Sequence, residues 1–154
     1  MTFFSRRTDY ALLILHALSQ NSNGMSAREA ASLYGIGRPF IANILKLLCA
    51  GGLVRSQRGA SGGYTLARSS DSITLDQVFQ ACEEPFQLTE CTSEETNGCS
   101  VIGMCPLKQG MALLHNRMLA LLRDLSLAEL FGSSSVQLLD LGLARIPAHS
   151  NSIN

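Results

Sequence analysis

The sequence predicts a mainly α-helical chain with one small β-hairpin set in its first half. Three observations predict it. Apolar residues ahead of Gly51 recur at helical spacing in separate runs, punctuated by turn residues. A glycine-rich loop then joins two short strand-like segments, Leu53 to Gln57 and Tyr64 to Ala67. A heptad-spaced helix follows Pro106. Helix, short helix, helix and glycine-rich hairpin together make a winged helix-turn-helix, and the later helix reads as a dimerisation helix appended to it.

Taken in order, Ser5 to Gln20 carries Tyr10, Leu13, Ile14, Ala17 and Leu18 on one helical face. Asn21 to Gly24 supply a turn. Ser26-Ala-Arg-Glu29 is a capping box that opens a short helix ending near Tyr34, before Gly35 and Gly37. Arg38 and Pro39 begin a third helix, since proline's missing N–H costs nothing in a first turn. Its apolar face is Ile41, Ile44, Leu45 and Leu48, and Gly51-Gly52 stops it. Arg58 to Gly63 forms the hairpin loop between the two strands.

Beyond the hairpin, Thr74-Leu-Asp-Gln77 opens a helix with Leu75, Val78, Phe79 and Cys82 on one face. Pro106 starts the longest one. Its apolar residues Leu107, Met111, Leu114, Met118, Leu121 and Leu125 alternate steps of four and three, an a/d seam about 30 Å long. A helix this long after so small a domain is expected to pair with its copy in a homodimer. Ser126-Leu-Ala-Glu129 caps a last short helix through Phe131. The expected organisation is a DNA-binding region over 1–70, a connecting helix, cysteine loop and dimerisation helix over 71–131, and a partly disordered tail over 132–154.

Composition narrows the function. The chain has 154 residues, 46% of them apolar, enough for one domain with a real core. Ala11 to Ala17 is far too short an apolar run to span a bilayer, and Met1 to Arg7 lacks the apolar region of a secretory signal. The expected compartment is a reducing cytoplasm, with no membrane partner, where clustered thiols point to metal or redox chemistry. The net charge of zero hides an asymmetry. Through Ser70, eight basic residues stand against Asp9 and Glu29, a net +6; from Asp71 on, four stand against ten acids, a net −6. A basic first half beside an acidic second half suits a polyanion bound at one end.

A helix-turn-helix lays its last helix in the major groove. Arg38, Pro39, Phe40, Asn43 and Lys46 form the face opposite the apolar one. Arginine pairs with guanine, asparagine with adenine, and an aromatic ring contacts a thymine methyl. Arg58 at the wing tip reaches toward the minor groove. Gly59, Gly62 and Gly63 let backbone approach phosphate. Ser26 starts a helix whose N–H groups suit phosphate as well. Singly, each of these residues is equally an ordinary solvated charge or turn former. Together they favour double-stranded DNA with two-fold related half-sites. No nucleophile–base pair stands out, and no Lys-Ser/Thr follows Gly59 to Gly63, which argues against an enzyme.

Three of the five cysteines, Cys91, Cys99 and Cys105, lie in one turn-rich loop spaced Cys-x7-Cys-x5-Cys. Structural zinc usually takes closely spaced cysteine pairs and four ligands, so this spacing suits zinc poorly. Thiolates are the normal ligands of iron–sulfur clusters, whose bulk needs longer loops. The spacing thus leaves a cluster, zinc, and redox-active or inert thiols as its readings. Cys49 and Cys82, at helical spacing among apolar neighbours, read as packing thiols.

Thr8-Asp9-Tyr10-Ala11, Arg58-Gly59-x-x-Gly62-Gly63-Tyr64, Leu75-x-x-Val78 and Cys105-x-Leu107 resemble the pattern of the Rrf-two family of bacterial transcription regulators (the IscR, NsrR and RirA types). The resemblance covers Met1 to about Phe131. It implies a cytoplasmic homodimeric winged-helix regulator, read here as a repressor, whose DNA binding depends on an iron–sulfur cluster held by Cys91, Cys99 and Cys105. In the branch with a 2Fe–2S cluster, a histidine stands three residues after the last cysteine. Here that residue is Lys108, and His115 is on the order of 15 Å from Cys105 along the helix. The nitric-oxide-sensing branch uses a first-helix aspartate on the partner chain's cluster, and Asp9 matches it. An acid there is equally favoured by the helix dipole. The x7 spacing looks most like the iron-responsive branch, and both features favour a 4Fe–4S cluster over 2Fe–2S. The expectation is a regulator sensing iron, redox state or nitric oxide. The alternative is a winged-helix regulator whose thiols bind zinc or switch by disulfide formation.

Overall fold

Ser5 sets the first helix. In a computed structural model, which describes residues 4–57, 62–92 and 99–132, its hydroxyl accepts from the N–H groups of Arg7 and Thr8 at 3.1 and 3.2 Å. Those donors have no helical carbonyl to reach, so the cap stabilises the first turn. Helix α1, Arg6–Gln20, buries Thr8, Ala11, Ile14, Leu15, Ala17 and Leu18. Leu13, expected on that face, is exposed instead. The stripe is centred on positions 8, 11, 15 and 18, which turns Leu13 outward.

Helix α2, Ala27–Tyr34, opens on the expected capping box, with Glu29 N–H donating to Ser26 Oγ at 3.2 Å and Ser26 N–H donating to the Glu29 carboxylate at 2.7 Å. It ends on Gly35 at φ 63°, a left-handed cap that glycine adopts without strain. Helix α3, Arg38–Ala50, has Pro39 in its first turn and buries Ile41, Ile44, Leu45 and Leu48. Strands β1, Val54–Gln57, and β2, Gly63–Leu66, pair antiparallel with Val54 opposite Leu66 and Gln57 opposite Gly63. Met25 adds a rung beside β2: its N–H donates to Tyr64 O at 3.0 Å, and Tyr64 N–H returns a bond to Met25 O at 2.8 Å. The start of α2 is thereby fixed to the base of the wing.

Helices α4, Leu75–Ala81, α5, Lys108–Asp124, and α6, Leu127–Gly132, follow. Residues 71–131 do not pack as a separate unit. Ile73, Val78, Ala81, Cys82 and Leu127 share one core with α1 and α3. The segment before α4 and the one before α6 are joined by backbone, Leu75 N–H to Leu125 O at 3.0 Å and Leu127 N–H to Ile73 O at 2.8 Å. At Gly51 a Cβ would come within 2.6 Å of the Ala81 Cβ, so glycine is what lets α3 and α4 touch. Helix α5 starts two residues after Pro106 and stops at Asp124, leaving Leu107 and Leu125 as its caps. It leans on a smaller core of Leu75, Phe79 and Leu122, with Phe4 and Phe86 beside it. Among the described residues no helix is long and apolar enough to cross a membrane. Apart from Gly132, the expected tail lies outside the described residues.

Candidate functional site

Burying Ile41, Ile44, Leu45 and Leu48 forces the opposite side of α3 outward. Arg38, Pro39, Phe40, Asn43 and Lys46 are all exposed there. Phe40 is braced rather than free: its ring meets the Tyr10 ring of α1 edge-on, centroids 5.7 Å apart at 87°. Beside this face a cleft of about 560 Å3 runs between the starts of α2 and α3 and the base of the wing, lined by Ser26, Ala27, Arg28, Arg38, Gly62 and Gly63 among others. A Cβ on Gly63 would meet Met25 O at 2.9 Å, so the wing sits flush on the residues that lead into α2.

Ser26 itself is engaged. Its N–H bonds the Glu29 carboxylate and its hydroxyl accepts from Glu29 N–H. Hydrogen bonds from the Ser26 backbone, then from its side chain, hold the Glu29 carboxyl below its usual range. The first-turn N–H groups left without a helical carbonyl are those of Ala27 and Arg28. Arg28, which sequence reasoning passed over, is exposed in the same cleft as Arg38. Its signal was its place in the first turn after the capping serine. Arg58 and Gly59 lie outside the described residues.

The thiols divide into two kinds. Cys82 is wholly buried, and burial pushes its thiol up to about 11; burial raises half-buried Cys49 as well. Both pack against the core, as their spacing suggested. Cys91, Cys99 and Cys105 are free thiols, each half-buried, outside that core. Cys91 sits in a turn where Thr89 Oγ1 lies 3.2 Å from its sulfur, and the turn Glu90–Thr92 packs against α5. As a donor set, three uncommitted thiols in one loop suit an iron–sulfur cluster in kind. They are not gathered: among the described residues no three Cys, His, Asp or Glu side chains stand close enough to hold a metal ion. The linking residues 93–98 are outside the described residues.

The remaining candidates are spread out. Asp9 is exposed on α1, and Lys108 is exposed where α5 begins. His115 stacks on Phe86 at 5.4 Å and 12°, with its buried Nδ1 lacking a hydrogen-bond partner. The predicted seam of α5 splits into two rows. Met111, Met118 and Leu125 are half-buried against their own chain. Leu107, Leu114 and Leu121 are 65, 46 and 59% exposed.

The family model described as Rrf2, iron-dependent transcriptional regulator, matches residues 4–133. The HTH-type transcriptional regulator NsrR of Halalkalibacterium halodurans is 32% identical over 120 residues, 77% of this chain and 80% of its own. Two solved structures share the fold. CymR, the global cysteine regulator of B. subtilis, has a TM-score of 0.68 at 21% identity, covering 87% of this chain and 99% of that one. IscR of T. potens has a TM-score of 0.65 at 20% identity, covering 93% of each.

Proposed function

Because the chain belongs to the Rrf2 family of transcriptional regulators, we propose that it is a cytoplasmic, homodimeric repressor that reads two DNA half-sites under the control of an iron–sulfur cluster. Its role is regulatory, not enzymatic. One observation carries the cluster reading. The chain carries three thiols within one 15-residue stretch of sequence, free, half-buried and outside the core, while its other two pack against that core. Cys91, Cys99 and Cys105 are the proposed ligands, with Asp9 from the partner chain completing a 4Fe–4S set. When bound, such a cluster supplies iron–thiolate bonds that are labile to oxidation, nitric oxide or iron shortage.

The chain's own residues do the rest. Arg38, Phe40, Asn43 and Lys46 read base edges, while Arg28, Arg58 and the glycines at the base of the wing lie on phosphate. Leu107, Leu114 and Leu121 of two chains pair, which sets the two α3 helices about 34 Å apart, one turn of DNA. A shared cluster would be held by the sulfurs of Cys91, Cys99 and Cys105. Its loss would leave the three thiols free of a common ligand. A coupling of roughly 1–3 kcal/mol changes DNA affinity about 5- to 150-fold.

The test is anaerobic purification with iron, sulfide and zinc analysis of the native protein and of Cys91→Ser, Cys99→Ser and Cys105→Ser. Iron and sulfide near four per chain, lost in each variant, is the expected result. Zinc without sulfide overturns it. A second reading, thiols that switch by disulfide formation without any cluster, is favoured by their not being gathered; a metal-free protein whose DNA affinity responds to oxidant establishes that one instead.

A further inference from the structure

The segment between α4 and Cys91 is tied to the first turn of α1 by one side chain. The Glu84 carboxylate accepts a hydrogen bond from the hydroxyl of Ser5 and one from Thr8 Oγ1 at 2.9 Å. Arg7 Nε lies 3.7 Å from its other oxygen, and Arg7 Nη1 donates to Cys82 O at 2.9 Å. Thr8 is wholly buried, so its hydroxyl has no water to turn to; besides this carboxylate it has only the Cys82 thiol beside it among the contacts of its side chain. Ser5 is also the residue that caps α1. Glu84 thus brings a negative charge to a helix N-terminus from a distant part of the chain, where the dipole favours it.

The backbone around Glu84 is set for this task. Glu84 N–H bonds Phe79 O at 3.0 Å, closing α4, and Glu83 before it adopts φ 57°. That left-handed turn is ordinary for glycine and strained for glutamate, and it holds because the contacts on both sides require it. Two residues on, Phe86 stacks on His115 of α5 and meets Phe79, which in turn meets Phe4. Residues 82–86 are thereby held between α1 and α5, immediately ahead of the turn that carries Cys91. At the other end of the same stretch of α1, Tyr10 braces Phe40 on the recognition face.

We propose that Glu84 is the positioning residue that transmits the state of the cysteine loop to the recognition helix, through Ser5, Arg7 and Thr8 and then the Tyr10–Phe40 contact. This rests on the cluster reading above. Ligation at Cys91 pulls on residues 84–90; the carboxylate carries that pull to the first turn of α1, and α1 changes the angle at which Phe40 and Arg38 meet the groove. Cutting the link uncouples DNA affinity from the loop without removing either.

The experiment compares DNA affinity with and without the cluster for the native protein, Glu84→Gln and Thr8→Val. Each variant is also measured for iron, sulfide and melting temperature. Glu84→Gln is nearly isosteric and gives up the charge; Thr8→Val gives up one hydroxyl and keeps the carboxylate. The expected result is native iron and sulfide in both variants. The ratio of affinities should fall to within about twofold of one in Glu84→Gln and to an intermediate value in Thr8→Val. An unchanged ratio in Glu84→Gln, with the native ratio well above one, overturns the proposal and leaves the cluster reading standing. Loss of iron together with the ratio overturns it too, since Glu84 then only builds the loop. If Glu84→Gln does not fold, Thr8→Val decides alone by the same ratio. A native protein without iron and sulfide, or with an affinity indifferent to them, removes the cluster reading and this proposal with it.

Discussion

The exposed face of α3 rests directly on the main core, whereas the turn at Cys91 and the outer side of α5 rest on little. Arg38, Phe40 and Asn43 stand over Ile41, Ile44, Leu45 and Leu48, and the wing base is bonded to the residues ahead of α2. In the other half, three thiols stay apart and three leucines of α5 face outward. Under the proposed function the difference is a division of labour. A surface that reads one fixed lattice of phosphates and base edges gains from being preformed, because any ordering on binding subtracts from affinity. On the same proposal a sensing surface needs two arrangements of similar energy, and the proposed sensor lies in the part with fewer buried contacts.

Substitutions sharpen this contrast, most strongly in the core. Ile44→Ala leaves a cavity under the recognition face and should cost about 2–5 kcal/mol of folding stability. Leu114→Ala, on an exposed position of α5, should cost the single chain under about 0.5 kcal/mol. Chemical denaturation of both, at concentrations where a dimer does not contribute, checks the difference; equal losses would mean that α5 belongs to the core. Next in size is the paired change Leu114→Lys with Leu121→Lys. It should give monomers by light scattering and weaken binding to a two-half-site probe roughly 100-fold, since linked binding is lost. Intact dimers would place the interface elsewhere. Arg38→Ala should then cost about 1–3 kcal/mol of DNA binding and flatten its salt dependence, with iron content unchanged. A loss of iron would deny that the two halves are separable.

Local signals carried most of the DNA-binding half into the sequence. The Ser26–Glu29 box, Gly35 as a left-handed cap and Pro39 in a first turn each act within a few residues, so their spacing announces them. Leu13 was misplaced because Leu13 and Leu15 are both apolar and only the neighbouring helices decide which is covered. The union of α4 and α6 with the first core was not legible either. It depends on Ile73 and Leu127 meeting through backbone bonds, which leave no mark on side-chain type. Glu84 was invisible for a different reason: its hydroxyl partners lie 79 and 76 positions away. The cysteine spacing offered a candidate donor set but no geometry for it, and among the described residues those thiols are not gathered.

The smallest expected effect divides the thiols themselves. Cys82 caps the end of α4, where the segment to Cys91 begins, with its carbonyl held by Arg7. Burial raises its thiol from the ordinary 9.0 to about 11, so the folded protein keeps this proton to higher pH than the unfolded chain does. The sign follows: its contribution to stability is fully present below pH 9.0 and is lost as pH rises toward 11. Cys82→Ala should therefore flatten the alkaline fall of the melting temperature in that window. Iodoacetamide under reducing, metal-free conditions should label Cys91, Cys99 and Cys105 in the native protein and leave Cys82 until the chain unfolds, as peptide masses would show. Labelling of Cys82 at the rate of the loop thiols would mean that residues 82–86 open as freely as the loop does. The boundary between the part that stays closed and the part that opens would then lie at α4, and Glu84 would be on the opening side of it.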